Sequence, residues 1–249
     1  MSGHNRWSKI KHKKGASDAK KSKMWTKVIK ELTVAARLGG GDLGANPRLR
    51  TAVDKARDVN MPNDTIERAI KKGSGDLEGT QYEEFHYEIF GPGGTAILVE
   101  IMTDNRNRTV SEVRSIITRN GGNLGASGSV SYMFKKLGQI VYDKGVVDEN
   151  KATDAAIELG AEDIRSEGDH LVVVTDPKEF ERVREGLRAA GLPAPLHAEV
   201  AMVPQNVVHL EGKDAAAAVK LVAALEDSDD VQNVFSNMDV DESVLEGVG

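Results

Sequence analysis

The sequence predicts an α+β fold in which an N-terminal three-helix domain is followed by two α/β domains, the third inserted in the second. Apolar residues recur at helical spacing as far as residue 73, and after the GSGDLEGT run the period becomes that of strands. From residue 138 onward the elements follow the order βαββαβ, which is ferredoxin-like. The predicted domains are residues 1–78, residues 79–134 plus 205–249, and residues 135–204.

Residues 1–17 show no apolar period and are predicted to form a tail in front of three short helices. The first helix begins at about Asp18 and ends at three consecutive glycines. Asn46-Pro47, an N-cap followed by proline at the first helical position, begins the second helix, and Pro62 begins the third. The buried face of the first helix consists of Trp25, Val28, Ile29, Leu32 and Ala36.

The second domain is predicted to begin with a hairpin of strands 84–90 and 95–103, joined by a Gly-Pro-Gly-Gly turn. A helix from about Thr109 follows, and Thr109-Val-Ser-Glu112 has the pattern of a capping box. A strand over residues 129–134 is expected next. These elements form only part of a sheet.

The last elements of the chain determine how the α/β domains are connected. Strand 207–210, helix 215–225 and strand 231–237 do not make a complete domain, so we add them to the sheet that begins at residue 84. This makes residues 135–204 an insertion, although three consecutive domains fit the same pattern. The predicted elements of the inserted domain are strand 139–142, helix 152–159, strand 163–166, strand 170–175, helix 178–190 and strand 196–202.

Charge is segregated along the chain. Residues 1–72 hold 18 Lys and Arg against 7 Asp and Glu, a net charge of +11, while the whole chain carries −6, so residues 73–249 carry −17. A polyanion is attracted by the basic end and repelled by the acidic remainder, which predicts docking with the N-terminal domain facing the partner. The acidic run 226–230 is interpreted as a solvated turn.

Residues 3–30 contain ten Lys and Arg, one acid and both tryptophans of the chain, a combination that suits phosphates and bases. A lysine stripe lies almost opposite the apolar face of the first helix and is expected to be presented to solvent. It consists of Lys20, Lys23, Lys27 and Lys30. Trp25 is assigned to the core and Trp7 to stacking, and the alternative for the lysines is an ordinary solvated surface. The predicted nucleic-acid-binding residues are Arg6, Trp7, Lys9, Lys11, His12, Lys13, Lys14, Lys20, Lys23 and Lys27.

The loop TDNRNRT, residues 103–109, is a second candidate site. Asn105, Arg106 and Arg108 stand beside the free N–H groups of a helix N-terminus, a setting that binds phosphate or other RNA anions. The structural alternative is that Asp104 and Asn105 satisfy loop amides while the arginines pair with acidic neighbours. An enzyme with an anion site at Asp104, Arg106 and Arg108 is the less favoured function.

Several function classes find no support in the sequence. There is no cysteine, which excludes disulfides and thiolate metal sites, and the six histidines lack metal-ligand spacing. The glycines of residues 122–128 follow a helix and precede a strand, the reverse of a dinucleotide-binding context. We therefore predict a non-enzymatic protein without cofactor or metal. No apolar run approaches the roughly 20 residues of a membrane span, and no secretory signal is present, which predicts a cytoplasmic protein.

Six segments, in order along the whole chain, carry a family resemblance. They are GHNRWSKIKHKK, NPRLRTAVDKA, NMPNDTIERAIKKGSG, YEIFGPGG, TDNRNRTVSEVR and GGNLGASGSVSYMF. Together they resemble the YebC/PmpR family, which includes the mitochondrial translational activators of cytochrome oxidase subunit 1. The resemblance implies the three-domain fold described above. Asn5 and Arg6 replace the usual Ser and Lys of the family, and the absence of an extension before Gly3 is typical of a bacterial member.

The resemblance implies two versions of a nucleic-acid-binding regulator. Bacterial members are described as probable DNA-binding transcriptional regulators, which is the function we predict. Mitochondrial relatives, and some bacterial ones, act on the ribosome, so a translation factor that binds ribosomal RNA is the alternative. The sequence shows no obvious base-reading recognition helix and no clear dimer seam, and a Lys-rich tail with a tryptophan suits folded RNA equally well. A protein partner for the acidic α/β domains is a third option.

Overall fold

The structure, a computed structural model, describes residues 18–241 and 243–244, with side chains from residue 21 onward. Its described part begins with three helices, α1 (Asp18–Gly39), α2 (Pro47–Asp58) and α3 (Asn63–Ser74). The predicted three-helix domain is therefore confirmed. The second and third helices begin where the proline signals place them.

The three helices pack closely around one small apolar core. A Cβ atom added at Gly73 of α3 would lie 2.2 Å from the carbonyl oxygen of Thr33, so glycine at this position lets α3 approach α1. Trp25 is partly buried against the core, and its Nε1 donates to the carbonyl oxygen of Val59 at 3.0 Å. The assignment of Trp25 to the core is confirmed.

The rest of the described chain alternates strands and helices. These elements are β1 (Glu83–Phe90), β2 (Ala96–Thr103), α4 (Arg106–Arg119), β3 (Asn123–Leu124), β4 (Phe134–Asp143), α5 (Glu149–Glu158), β5 (Asp163–Glu167), β6 (His170–Thr175), α6 (Phe180–Ala189), β7 (His197–Pro204), β8 (Val208–His209), α7 (Gly212–Glu226), β9 (Val231–Ser236) and β10 (Met238–Asp239).

The first sheet has the strand order β3-β1-β2-β9, and every neighbouring pair is antiparallel. Its apolar face packs against α4 and α7 in the largest core of the molecule. Strand β9 follows the whole third domain in sequence yet pairs with β2, from Ile97–Ser236 to Ile101–Val231. The chain therefore leaves the second domain, forms the third and returns, as the predicted insertion requires. The predicted place of strand 207–210 in this sheet is wrong, because β8 pairs with β10 in a separate parallel pair.

The inserted domain contains the second sheet, with the strand order β5-β6-β4-β7 and antiparallel neighbours throughout. Helices α5 and α6 cover one face and share a core with β4 and β6. This order is the ferredoxin-like arrangement that the βαββαβ pattern predicts. The α+β fold class is confirmed.

The predicted strand 129–134 is wrong. Residues Ser131–Met133 form a 3-10 turn, and β4 begins only at Phe134. The cause is Glu88, whose buried carboxylate accepts hydrogen bonds from the backbone N–H groups of Gly128, Val130 and Ser131 at 2.5–2.8 Å. A backbone curled around one carboxylate cannot also pair as a strand. This glycine-rich loop is thus held against Glu88 of β1.

Among the described residues, no helix is both long enough and apolar enough to cross a membrane.

Candidate nucleic-acid interface

The predicted interface combines the basic tail with the lysine stripe of α1. Most of its predicted residues lie outside the described residues, and their assignment stays a prediction: Arg6, Trp7, Lys9, Lys11, His12, Lys13 and Lys14. The side chain of Lys20 also lies outside the described part. The structure therefore bears on Lys23 and Lys27, together with Lys30 of the same stripe.

The lysine stripe of α1 contacts the acidic turn, residues 226–230, at the end of α7. Lys23 Nζ donates to the carbonyl oxygen of Asp227 at 3.1 Å and to its carboxylate at 2.6 Å. Lys27 Nζ donates to the carbonyl oxygen of Glu226 at 2.6 Å. The expectation that the stripe is presented to solvent is wrong for Lys30, which is buried, whereas Lys23 is partly exposed. In the acidic turn, Asp227 and Asp229 are exposed as expected, and Asp230 is buried. The negative end of the α7 dipole and the acidic side chains attract the ammonium groups.

The innermost lysine of the stripe is buried. Lys30 Nζ donates to the carbonyl oxygens of Met102 at 3.2 Å and Asp229 at 2.8 Å, and to the Asp230 carboxylate at 2.6 Å. The side chains of Lys30 and Asp230 are only 8% and 5% exposed. All three donors of the ammonium group are thus satisfied by the second domain, so Lys30 joins the two domains rather than binding an external partner.

The other oxygen of the Asp230 carboxylate accepts three further hydrogen bonds. The donors are Arg108 Nη2 at 2.8 Å, Thr109 Oγ1 at 2.7 Å and Thr103 Oγ1 at 3.2 Å. Arg108 also contacts Asp104 at 2.9 Å. A single carboxylate therefore connects α1, β2 and α4 at the contact between the first two domains.

Asp230 is expected to make folding sensitive to acid between about pH 4 and pH 2. Burial alone would raise the pKa of its carboxyl group, but hydrogen bonds from Lys30, Arg108 and Thr109 outweigh burial and lower the pKa from 3.8 to about 2. Because the folded-state pKa is depressed, the stabilisation is complete above the unfolded-state value and is lost as the pH falls through the folded-state value. The shift corresponds to about 2 kcal/mol of unfolding free energy.

Urea unfolding of the wild-type chain and of an Asp230→Asn variant, each at about pH 6 and about pH 2.5, measures this contribution. The wild-type chain should lose about 1.5 kcal/mol more than the variant on acidification, because at about pH 2.5 the Asp230 carboxyl group of the folded chain is still partly ionised. An equal loss in both proteins would contradict the role given to Asp230.

The described contacts of the loop at residues 103–109 are with neighbouring protein groups, as in the structural alternative to an anion site. Asn105 is the N-cap of α4, and its side-chain oxygen accepts from the Arg108 N–H at 3.1 Å. The helix thus begins before Thr109, and the predicted capping box is wrong because Thr109 is buried and turned toward Asp230. Arg106 lies 3.5 Å from a Glu83 carboxylate oxygen and 4.5 Å from the centre of the Phe85 ring. An anion-binding role for Asn105, Arg106 and Arg108 remains a prediction.

Within the described ranges, no group of three or more His, Asp or Glu side chains has an arrangement that could hold a metal ion. His86 on β1 lies 3.7 Å from Glu100 on the neighbouring strand, and Glu100 accepts from Asn233 at 2.7 Å. The nearby Glu100 carboxylate raises the pKa of His86 above its usual value. This row of polar side chains crosses the sheet as cross-strand pairs.

The pairing between the lysine stripe and the acidic turn is not predicted from the sequence. One signal was available: the lysines recur one helical turn apart, and the acidic run is the densest in the chain. Opposite charges at such density favour mutual contact in a folded chain. No local pattern predicts the contact between the lysines and the acidic run, because α1 and the turn are about 200 residues apart.

Comparison with known proteins identifies the family. Residues 5–76 match the TACO1/YebC protein N-terminal domain, and residues 82–238 match the TACO1/YebC second and third domain. The chain belongs to the TACO1/YebC family. The resemblance found in the sequence motifs is therefore confirmed.

Relatives in the TACO1/YebC family are similar over their whole length. The chain is 58% identical over 246 residues to a probable transcriptional regulatory protein of Geobacter sp. strain M21, and the match covers 99% of each chain. It is 59% identical over 246 residues, with the same coverage, to a protein of the same description from Geotalea uraniireducens strain Rf4. The crystal structure of a conserved hypothetical protein from Aquifex aeolicus superposes with a TM-score of 0.83 at 46% identity, covering 94% of this chain and 96% of that one.

Proposed function

We propose that this TACO1/YebC family member is a non-enzymatic, cytoplasmic nucleic-acid-binding regulator that docks through the basic N-terminal end of its helical domain. In its finer form, the proposal is DNA-binding transcriptional regulation. The single observation that carries it is the charge segregation, +11 over residues 1–72 against −17 over the remainder. The description of the relatives as probable transcriptional regulatory proteins supports the regulatory part.

Because of the described contacts, the proposed interface is centred on the residues that precede Lys27. Lys30 is buried against the second domain, and Lys27 contacts the end of α7. Residues 1–17 contain five Lys and Arg, no acid and a tryptophan. These cations supply phosphate contacts in the proposal, and Trp7 supplies stacking with a base.

A salt titration tests whether binding is electrostatic. Full-length protein is mixed with labelled duplex DNA of a promoter region, and the affinity is measured from low to physiological salt. If about six cations meet phosphates, log affinity should fall with log salt with a slope of about −5. An affinity that does not change with salt, or no binding at all, would overturn the proposal.

A competition distinguishes the two versions of the function. Labelled protein is allowed to partition at physiological salt between purified ribosomes and an excess of mixed promoter duplexes. Preference for particular duplexes supports transcriptional regulation, whereas preference for ribosomes would replace it with action on ribosomal RNA. A protein that binds neither would contradict both versions.

A further inference from the structure

The contact between α1 and the acidic turn, residues 226–230, covers part of the surface proposed to bind nucleic acid. The turn presents carbonyl and carboxylate oxygens to Lys23 and Lys27 at 2.6–3.1 Å. A phosphate backbone presents oxygens to lysines in the same way, as acceptors of charge-assisted hydrogen bonds. The turn and a nucleic acid therefore compete for the same N–H donors.

Burial differs sharply along the stripe. The Lys30 and Asp230 side chains are 8% and 5% exposed, whereas those of Lys23 and Asp227 are 41% and 74% exposed. Breaking a buried ion pair leaves an uncompensated charge, while an exposed pair exchanges with solvent at small cost. Lys30 is therefore a fixed connection between the domains, and Lys23 is an exchangeable one.

Lys23 also has room to change partners. It lines an open cleft of about 540 Å³ between α1 and the second domain, together with Thr26, Tyr82, Arg108 and acidic residues that include Asp104, Glu112 and Asp229. In sequence it is the stripe lysine next to Lys20 and Lys21, which continue the basic stretch toward the tail. A polyanion bound at the basic end thus lies next to the most exposed contact of the acidic turn.

We propose that the acidic turn is an internal competitor of nucleic acid, which holds Lys23 through Asp227 until a phosphate displaces it. The contact is autoinhibitory: it lowers affinity for short or weakly charged polyanions and leaves the domain arrangement fixed at Lys30. This inference rests on the proposed function, because it concerns the regulation of the same interface.

Two neighbouring aspartates provide a matched test. Asp227→Asn removes the carboxylate that Lys23 contacts. Asp229→Asn removes the same charge two residues away. Among the described residues, no cation lies within hydrogen-bonding distance of the Asp229 carboxylate, and the substitution keeps the backbone carbonyl oxygen that accepts from Lys30. The affinity of the full chain for a mixed-sequence 20-base-pair duplex should be roughly threefold higher with Asp227→Asn than with Asp229→Asn. A factor of this size corresponds to the free energy of an exposed ion pair.

The two aspartate substitutions are also made in a Lys23→Gln background, which completes a double-mutant cycle. There the two aspartate variants should bind equally, because the contact that distinguishes them is gone. Lys23→Gln alone should also make the salt slope shallower by about 0.9, the loss of one phosphate contact on duplex DNA. Equal effects of the two aspartate variants in the wild-type background, or an unchanged slope with Lys23→Gln, would overturn this inference alone. No binding of any variant to the duplex would overturn the proposed function with it.

Discussion

Replacing Lys30 with methionine is expected to lower the free energy of unfolding by about 3–5 kcal/mol. The variant keeps the length and apolar stem of the side chain but removes the ammonium group that contacts Asp230 at 2.6 Å in a buried position. Asp230 then keeps its hydrogen bonds from Arg108 and Thr109 but loses its closest cation. The carbonyl oxygens of Met102 and Asp229 lose their donor as well.

Urea denaturation at neutral pH measures this effect without the charge screening that guanidinium causes. The matched control is Lys23→Met on the same helix face, where the pair with Asp227 is exposed and the expected loss is below about 1 kcal/mol. A loss in Lys30→Met no larger than in Lys23→Met would contradict the role of Lys30 as the fixed connection between the first two domains.

Reversing the charge of four tail lysines is expected to weaken binding to duplex DNA or ribosomal RNA by at least about 100-fold at physiological salt. The substitutions are Lys9→Glu, Lys11→Glu, Lys13→Glu and Lys14→Glu. They replace four attractive phosphate contacts with four repulsive ones and change the net charge by −8. The thermal midpoint should remain that of the wild-type chain, because the described core residues of all three domains begin at Trp25, after the substituted positions.

The control carries the same change of charge elsewhere. Four exposed lysines of the α/β domains are replaced by glutamate: Lys151, Lys178, Lys213 and Lys220. If binding depends on where the cations lie, this control should lose far less affinity than the tail variant. Similar losses in both proteins would indicate that net charge alone governs binding, and retained binding in the tail variant would place the interface elsewhere.

The sequence by itself determined the elements, their order and the family. Asn46-Pro47 and Pro62 mark helix starts because capping and proline geometry act within a few residues. Strand β6 is predicted at the bounds that it has in the structure, because a buried apolar strand has a distinct local pattern. Where the local prediction failed, a group distant in sequence was responsible. The Glu88 carboxylate binds the backbone of residues 128–131, and Thr109, predicted at the start of α4, lies within the helix and donates to Asp230.

Only the tertiary structure decided which polar surface is covered. The period of α1 separates an apolar face from a lysine face, but it does not state that the lysine face meets residues 226–230, about 200 positions away. A helical pattern records the polarity of a side chain, whereas its partner depends on the surface that the fold places against it. For Lys30 that surface supplies three acceptors and excludes water, so a lysine that the helical pattern places on the solvent face becomes a buried connection between domains.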